Sequence, residues 1–149
     1  MRRLRTAVLS SLALPAILVV LSSQPVQAQS HATLVWNQLD AMYKQVNGEG
    51  FSSRNYIIGR LKDDENETWT VTLYAGNTYR ITGVCDGDCK DIDLALLDGN
   101  RNELTSDMLA DDVPILTFTP KTTASYSIKV MMPTCNQDPC YFGIGIFFK

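Results

Sequence analysis

The sequence holds a single histidine, His31, among 149 residues. That scarcity works against a histidine-dependent triad and against a multi-histidine metal centre. Nucleophile signatures of the G-x-S-x-G type are absent, as is any glycine-rich loop with the spacing that cradles phosphate. Base is also scarce: 13 Lys and Arg stand against 16 Asp and Glu. Three of those 13 lie in residues 1–28, which carry no acid, so the 121 residues that follow have a net charge of −6. A domain of that sign has no general field for nucleic acid or an anionic membrane. Apolar runs are short. The longest, residues 6–21, is interrupted by Ser10, Ser11 and Pro15 and falls below the roughly 20 residues that a spanning helix needs.

What is present at the N-terminus is the pattern of an export signal. Arg2, Arg3 and Arg5 precede the apolar run, and Val26-Gln27-Ala28 fits small-residue cleavage before Gln29. The reading is a cleaved signal peptide over 1–28, a secreted product in the periplasm or outside the cell, and no membrane span after cleavage. Export places the four cysteines, Cys85, Cys89, Cys135 and Cys140, in an oxidising space, which favours two disulfides over a four-thiolate zinc site. Three connectivities are open. Each close pair brackets a short loop between strand-like runs, so local bridges 85–89 and 135–140 are preferred over cross-links between the loops.

Residues 32–47 carry apolar side chains at Val35, Leu39, Met42 and Val46, a helical period, with Trp36 and Tyr43 beside them and Gly48 and Gly50 as stops. The expected helix packs on its own domain. Beyond Gly50 the period becomes two. Trp69, Val71 and Leu73 alternate with threonines in 68–74, and runs at 78–85, 91–97, 115–119, 125–132 and 141–148 follow, with a weaker one at 55–61. Seven short strands without a βαβ rhythm predict an all-β antiparallel sandwich or barrel. The division is 1–28 signal peptide, 29–50 helix and linker, and 51–149 sandwich. Strand 141–148 is apolar on both faces and should lie centrally or be covered.

Charge is unevenly spread. Residues 86–112 hold nine acids against Lys90 and Arg101, a net of −7, whereas the rest of the exported chain is near neutral. One reason for such a concentration is calcium, which takes six to eight oxygen ligands. Asp91 and Asp93 are two apart in a strand and share a face, with Cα atoms roughly 6.5–7 Å apart. With Asp86 and Asp88 from the preceding loop they form the expected calcium set. Asp98-Gly99-Asn100 imitates the start of an EF-hand loop, but Glu103 and Leu109 stand where that loop needs Gly and Glu. The alternative is that these acids are solvated turn residues. Asn66-Glu67-Thr68 is a glycosylation acceptor sequence, of consequence only in a host that modifies it.

Three stretches carry a resemblance. Residues 69–81, from Trp69 through Ala75-Gly76 to Tyr79 and Ile81, match a strand, turn and tyrosine-bearing strand. Asp91-Ile92-Asp93-Leu94 leads into Asp98-Gly99-Asn100, and Ala124-Ser125-Tyr126 opens a late strand. In this order they resemble the bacterial pre-peptidase C-terminal domain family, over about residues 56–148. The resemblance implies a jelly-roll-like β-sandwich of the kind appended to secreted proteases, some of whose relatives bind collagen or calcium; Asp91 and Asp93 are the positions it carries over. The expectation is a stand-alone member, a sandwich without an attached catalytic domain. The expected function is a non-catalytic secreted binding module for a protein or polysaccharide, with calcium as a stabilising ion and Tyr74, Tyr79, Tyr126 and Tyr141 as aromatic contacts or core. The alternatives are a structural subunit of a cell-envelope assembly, docking through the helix and strand 141–148, and a small hydrolase using carboxylates.

Overall fold

A computed structural model describes residues 30–149; the predicted signal peptide and its cleavage point lie outside the described residues. The chain runs α1 (His31–Gly48), β1 (Ser52–Leu61), β2 (Asn66–Leu73), β3 (Tyr79–Cys85), β4 (Cys89–Leu97), β5 (Glu103–Asp107), β6 (Ile115–Phe118), β7 (Ala124–Cys135) and β8 (Cys140–Phe148). The strands form two four-stranded sheets, β1-β8-β3-β6 and β2-β7-β4-β5, antiparallel throughout. Successive strands alternate between the sheets from β1 to β4 and again from β6 to β8. Two nested Greek keys of this order make a jelly roll, so the all-β sandwich read from the alternation is the fold. The eighth strand, β5, escaped the sequence reading. It is a five-residue edge strand, mostly exposed, with no apolar alternation to announce it.

The period-two pattern becomes a core when the inner faces meet. Ile81, Ile144 and Ile146 of the first sheet face Leu94, Leu96, Ile128 and Val130 of the second within one buried cluster. Tyr79 is fully buried in it, and its hydroxyl accepts the Tyr74 amide at 2.9 Å. Tyr126 is buried as well and donates its hydroxyl to the Thr122 carbonyl at 3.2 Å. These two of the four tyrosines considered as ligand contacts are therefore core residues.

Helix α1 is started by Ser30, whose side chain accepts from the Thr33 amide at 3.3 Å. It ends where Gly50 adopts φ 86° and the Phe51 amide returns to the Val46 carbonyl at 3.1 Å. Its buried stripe is Val35, Leu39 and Val46. The seat for that stripe is a glycine gap in β8: a Cβ on Gly143 would lie 2.6 Å from Val35 Cγ1 and 2.7 Å from Leu39 Cδ1. Val46 closes the far end against Phe51 and Phe147. The helix thus roofs the first sheet, and β8, paired on both edges by β1 and β3, is central and covered as its two apolar faces require. No described helix is long and apolar enough to cross a membrane.

Both disulfides are local, Cys85–Cys89 and Cys135–Cys140, with Cα atoms 5.9 and 5.8 Å apart. Local in sequence, they are not local in the fold. Each closes a crossover between sheets, β3 to β4 and β7 to β8, and Cys89 sits opposite Cys135 across the β4–β7 ladder. The two bridges therefore clamp one end of the sandwich. Acid collects at that end: Asp63 accepts the Cys135 amide at 2.7 Å, Asp138 accepts the Asp63 amide at 2.8 Å, and the Asp111 carbonyl takes the Ile92 amide at 3.1 Å. Arg54 and Arg80 belong to the opposite end, where β1 and β3 meet the last residues of β8.

Candidate functional site

Among the described residues nothing covers the outer face of the second sheet. Its strands point Thr68 and Thr70 from β2 and Ser127 and Lys129 from β7 outward, the alternates of buried Leu73, Ile128 and Val130. Cross-strand register places Thr70 opposite Ser127 and Thr68 opposite Lys129. These side chains, with Asn66, Leu97 and Arg101, line a groove of about 420 Å³. A second depression of about 210 Å³ shares Asn66 and Lys129 and continues toward the clamped end past Asp64, Glu65 and Asp93. The combined trough is lined by hydroxyls and the Asn66 amide together with Leu97, Met131, Met132 and Pro133, with Arg101 at the β4–β5 turn, Lys129 in its middle and carboxylates at the other end.

Arg101 reaches the groove because the β4–β5 turn is held by Asp98. That carboxylate accepts the Asn100 and Asn102 amides, both at 2.8 Å, and the Asn102 side chain at 3.0 Å, and Arg101 takes φ 67°. The bonds from Asn102 and Asn100 hold the Asp98 carboxyl below its ordinary value. This turn satisfies itself internally, in keeping with the failure of its sequence as an EF-hand.

The four carboxylates expected to hold calcium separate into two pairs. Asp91 and Asp93 do share a face of β4, flanking the buried Ile92, at a stretch where the ladder with β7 is irregular. Each has a buried Oδ1 without a hydrogen-bond partner. Burial pushes the Asp91 carboxyl up, reinforced by the charge of Asp111. Burial likewise raises Asp93, followed by the charges of Asp91, Asp107 and Asp111. Four carboxylates thus repel one another here with no cation among the described side chains bonded to them.

Asp86 and Asp88 go elsewhere. The Asp86 side chain is fully buried under the β3–β4 loop. Its Oδ1 accepts the Asp88 and Cys89 amides, both at 3.3 Å, and its Oδ2 accepts the Tyr141 amide at 3.1 Å. The remaining position faces His31, whose Nδ1 lies 2.7 Å from Oδ2. Asp88 Oδ2 lies 3.9 Å from the same nitrogen. Among the described residues, His31, Asp86 and Asp88 are the one group of three such side chains with ligand atoms all within 4.8 Å of one another. A four-aspartate set is not formed, because the loop carries the first pair over the edge of the sandwich toward α1 while the strand turns the second pair onto the open sheet face.

Of the remaining tyrosines, Tyr141 stacks on His31 with ring centroids 5.5 Å apart. Tyr74 is exposed, with the Arg54 guanidinium 4.7 Å from its ring centre. Nothing in the sequence marks His31 as part of a site beyond its being the single histidine, and nothing marks Lys129 and Arg101, whose convergence depends on strand register. Comparison with models of known protein families and with characterised proteins gives no match.

Proposed function

We propose that the chain is an exported, non-catalytic binding module that takes a polar ligand, a protein segment or a polysaccharide, along the open face of the β2-β7-β4-β5 sheet. The observation that carries this is the contrast between the two sheets. One is roofed by α1; the other, among the described residues, leaves a trough from Asp64 to Arg101 uncovered. Hydroxyls, an amide and charges of both signs suit a ligand rich in hydrogen-bonding groups. The resemblance to pre-peptidase C-terminal domains belongs to this reading, as does the export signal. An envelope subunit docking through the helix and strand 141–148 is less well supported, since β8 offers neither a free edge nor a free face.

Calcium is a second element of the reading, at Asp91 and Asp93. The unpartnered buried Oδ1 atoms and the mutual repulsion around them are what a hard cation with oxygen ligands would relieve. Asp86 suits it less, since three of its acceptor positions are held by amides.

The test is an array of glycans and peptides probed with the wild type, Thr70→Trp and Lys129→Ala. Retained ligands should weaken at least tenfold with both variants, each of which alters a partly or fully exposed position and leaves the melting midpoint in place. An array without ligands, or ligands indifferent to both substitutions, refutes the proposal.

A further inference from the structure

We propose that His31, Asp86 and Asp88 form a three-ligand site for a zinc-class divalent ion, fastening the start of α1 to the β3–β4 loop. This site is separate from the open sheet face and from Asp91 and Asp93. One ligand atom from each residue lies within 4.8 Å of the others, and the nitrogen that faces both carboxylates is His31 Nδ1. Zinc–nitrogen and zinc–oxygen bonds of about 2.0–2.2 Å in a tetrahedron put neighbouring ligand atoms roughly 3.3 Å apart. The nitrogen stands 2.7 Å from Asp86 and 3.9 Å from Asp88, so each distance differs from that ideal by about half an ångström, in opposite directions. Seating the ion needs a small turn of the imidazole away from Asp86 and a swing of Asp88, whose side chain is about one-third exposed.

The support behind these ligands is what distinguishes the group from acids that happen to be near one another. Asp86 is fixed by three backbone amides, and the His31 ring is laid against Tyr141. Ligands held by hydrogen bonds and packing of this kind lose less freedom on binding. The one Asp86 contact displaced is the His31 Nδ1–H bond: the metal takes the place of that proton, and Tyr141 keeps its bond to Oδ2. The donor set selects the ion. One imidazole and two carboxylates suit zinc, whereas calcium and magnesium prefer oxygen alone. Thiolate competition is absent, because all four cysteines are in disulfides. Two carboxylates neutralise the dication, so the positive end of the α1 dipole meets no net charge. Half-exposed His31 leaves the fourth position open to water.

The experiment is calorimetric titration of the purified protein with zinc chloride, beside His31→Ala, Asp88→Asn and Asp93→Asn. One zinc per chain is expected, with an affinity lowered at least tenfold in His31→Ala and Asp88→Asn and unchanged in Asp93→Asn. Both informative variants lie at exposed or partly exposed positions, and their melting midpoints without zinc report whether they fold. Zinc should raise the wild-type midpoint and not that of His31→Ala. No zinc uptake, or uptake that His31→Ala leaves intact, overturns the proposal. A parallel calcium titration keeps the calcium reading separate: it should respond to Asp93→Asn and not to His31→Ala. Copper and nickel are unsuitable probes. A chain cleaved before Gln29 carries His31 third from a free amine, and that nitrogen set takes those ions in square-planar geometry without either aspartate.

Discussion

Replacing Gly143 by alanine should unseat α1, and the size of the effect follows from the packing. Carbon atoms in contact prefer about 3.5–4.0 Å. The new Cβ would meet Val35 Cγ1 at 2.6 Å, Leu39 Cδ1 at 2.7 Å and Leu39 Cγ at 3.1 Å, a deficit of about 1 Å against side chains that have no exposed surface. The helix cannot slide freely to make room, since His31 is bonded to Asp86 and Val46 is packed on Phe147. Overpacking of this kind costs about 1–3 kcal/mol, which for a domain of this size is roughly 4–12 °C in melting midpoint. Leu39→Ala alone opens a cavity and should cost about 2–5 kcal/mol. The double variant is the discriminating case. Truncating Leu39 removes two of the three clashing atoms, so the alanine methyl partly fills the space it would otherwise fight. The pair should be less damaging than the sum of the singles by about 1 kcal/mol or more. Urea denaturation followed by far-ultraviolet circular dichroism measures all four proteins. A Gly143→Ala protein as stable as the wild type, or equal costs of Gly143→Ala in both Leu39 backgrounds, would show that the helix is not seated on this gap.

Replacing Cys135 and Cys140 together by serine should cost about 2 kcal/mol, the loop entropy of so small a ring, read from denaturation midpoints; a loss below the scatter would mean that the clamp adds nothing. Asp86→Ala leaves three amides without their acceptor and should cost about 2–4 kcal/mol, with Asp86→Asn milder because its carbonyl can still accept. Without calcium, Asp93→Asn should raise the midpoint, since it removes a carboxylate pushed up by burial and by its neighbours; a lowered midpoint contradicts that. An NMR titration should find Asp98 below, and Asp91 and Asp93 above, the ordinary 3.8. The signs for stability are opposite: what Asp98 contributes is present above its ordinary value and lost as pH falls through its lowered one, whereas the penalty from Asp91 and Asp93 is present above their raised values and relieved as pH falls through them.

The sandwich was legible because alternation is a local signal. Trp69, Val71 and Leu73, or Tyr126, Ile128 and Val130, disclose a buried face without reference to any other strand. The disulfide pairing was legible for a similar reason, each pair closing one short loop. That the loops cross between sheets, and that Cys89 meets Cys135, depends on strand order and could not be read from spacing. The same distinction divides the sites. Asp91 and Asp93 share a face by arithmetic, and they do so in the fold. Asp86 points the other way because Tyr141, 55 residues along the chain, supplies an amide for it. His31 carries no local sign of a role, because nothing near it in sequence shows that a buried aspartate and a tyrosine ring lie beside it. The trough needed register: Lys129 is one more alternating residue until Thr68 is known to lie beside it. Strand β5 is the limiting case, held by the neighbouring edge of β4 with little in its own five residues to mark it.

The acidic run of residues 86–112 also has a different meaning in three dimensions. The fold sends Asp98 and Glu103 to the far turn beside Arg101 and brings Asp63, Asp64 and Asp138 to the clamped end from elsewhere in the chain. The run is therefore not one charged patch. It divides into a brace for the β4–β5 turn at Asp98, an anchor for the start of α1 at Asp86, and a pair left bare on the open sheet face at Asp91 and Asp93. Neutralising one of the three should leave the other two as they are, with effects on stability that add.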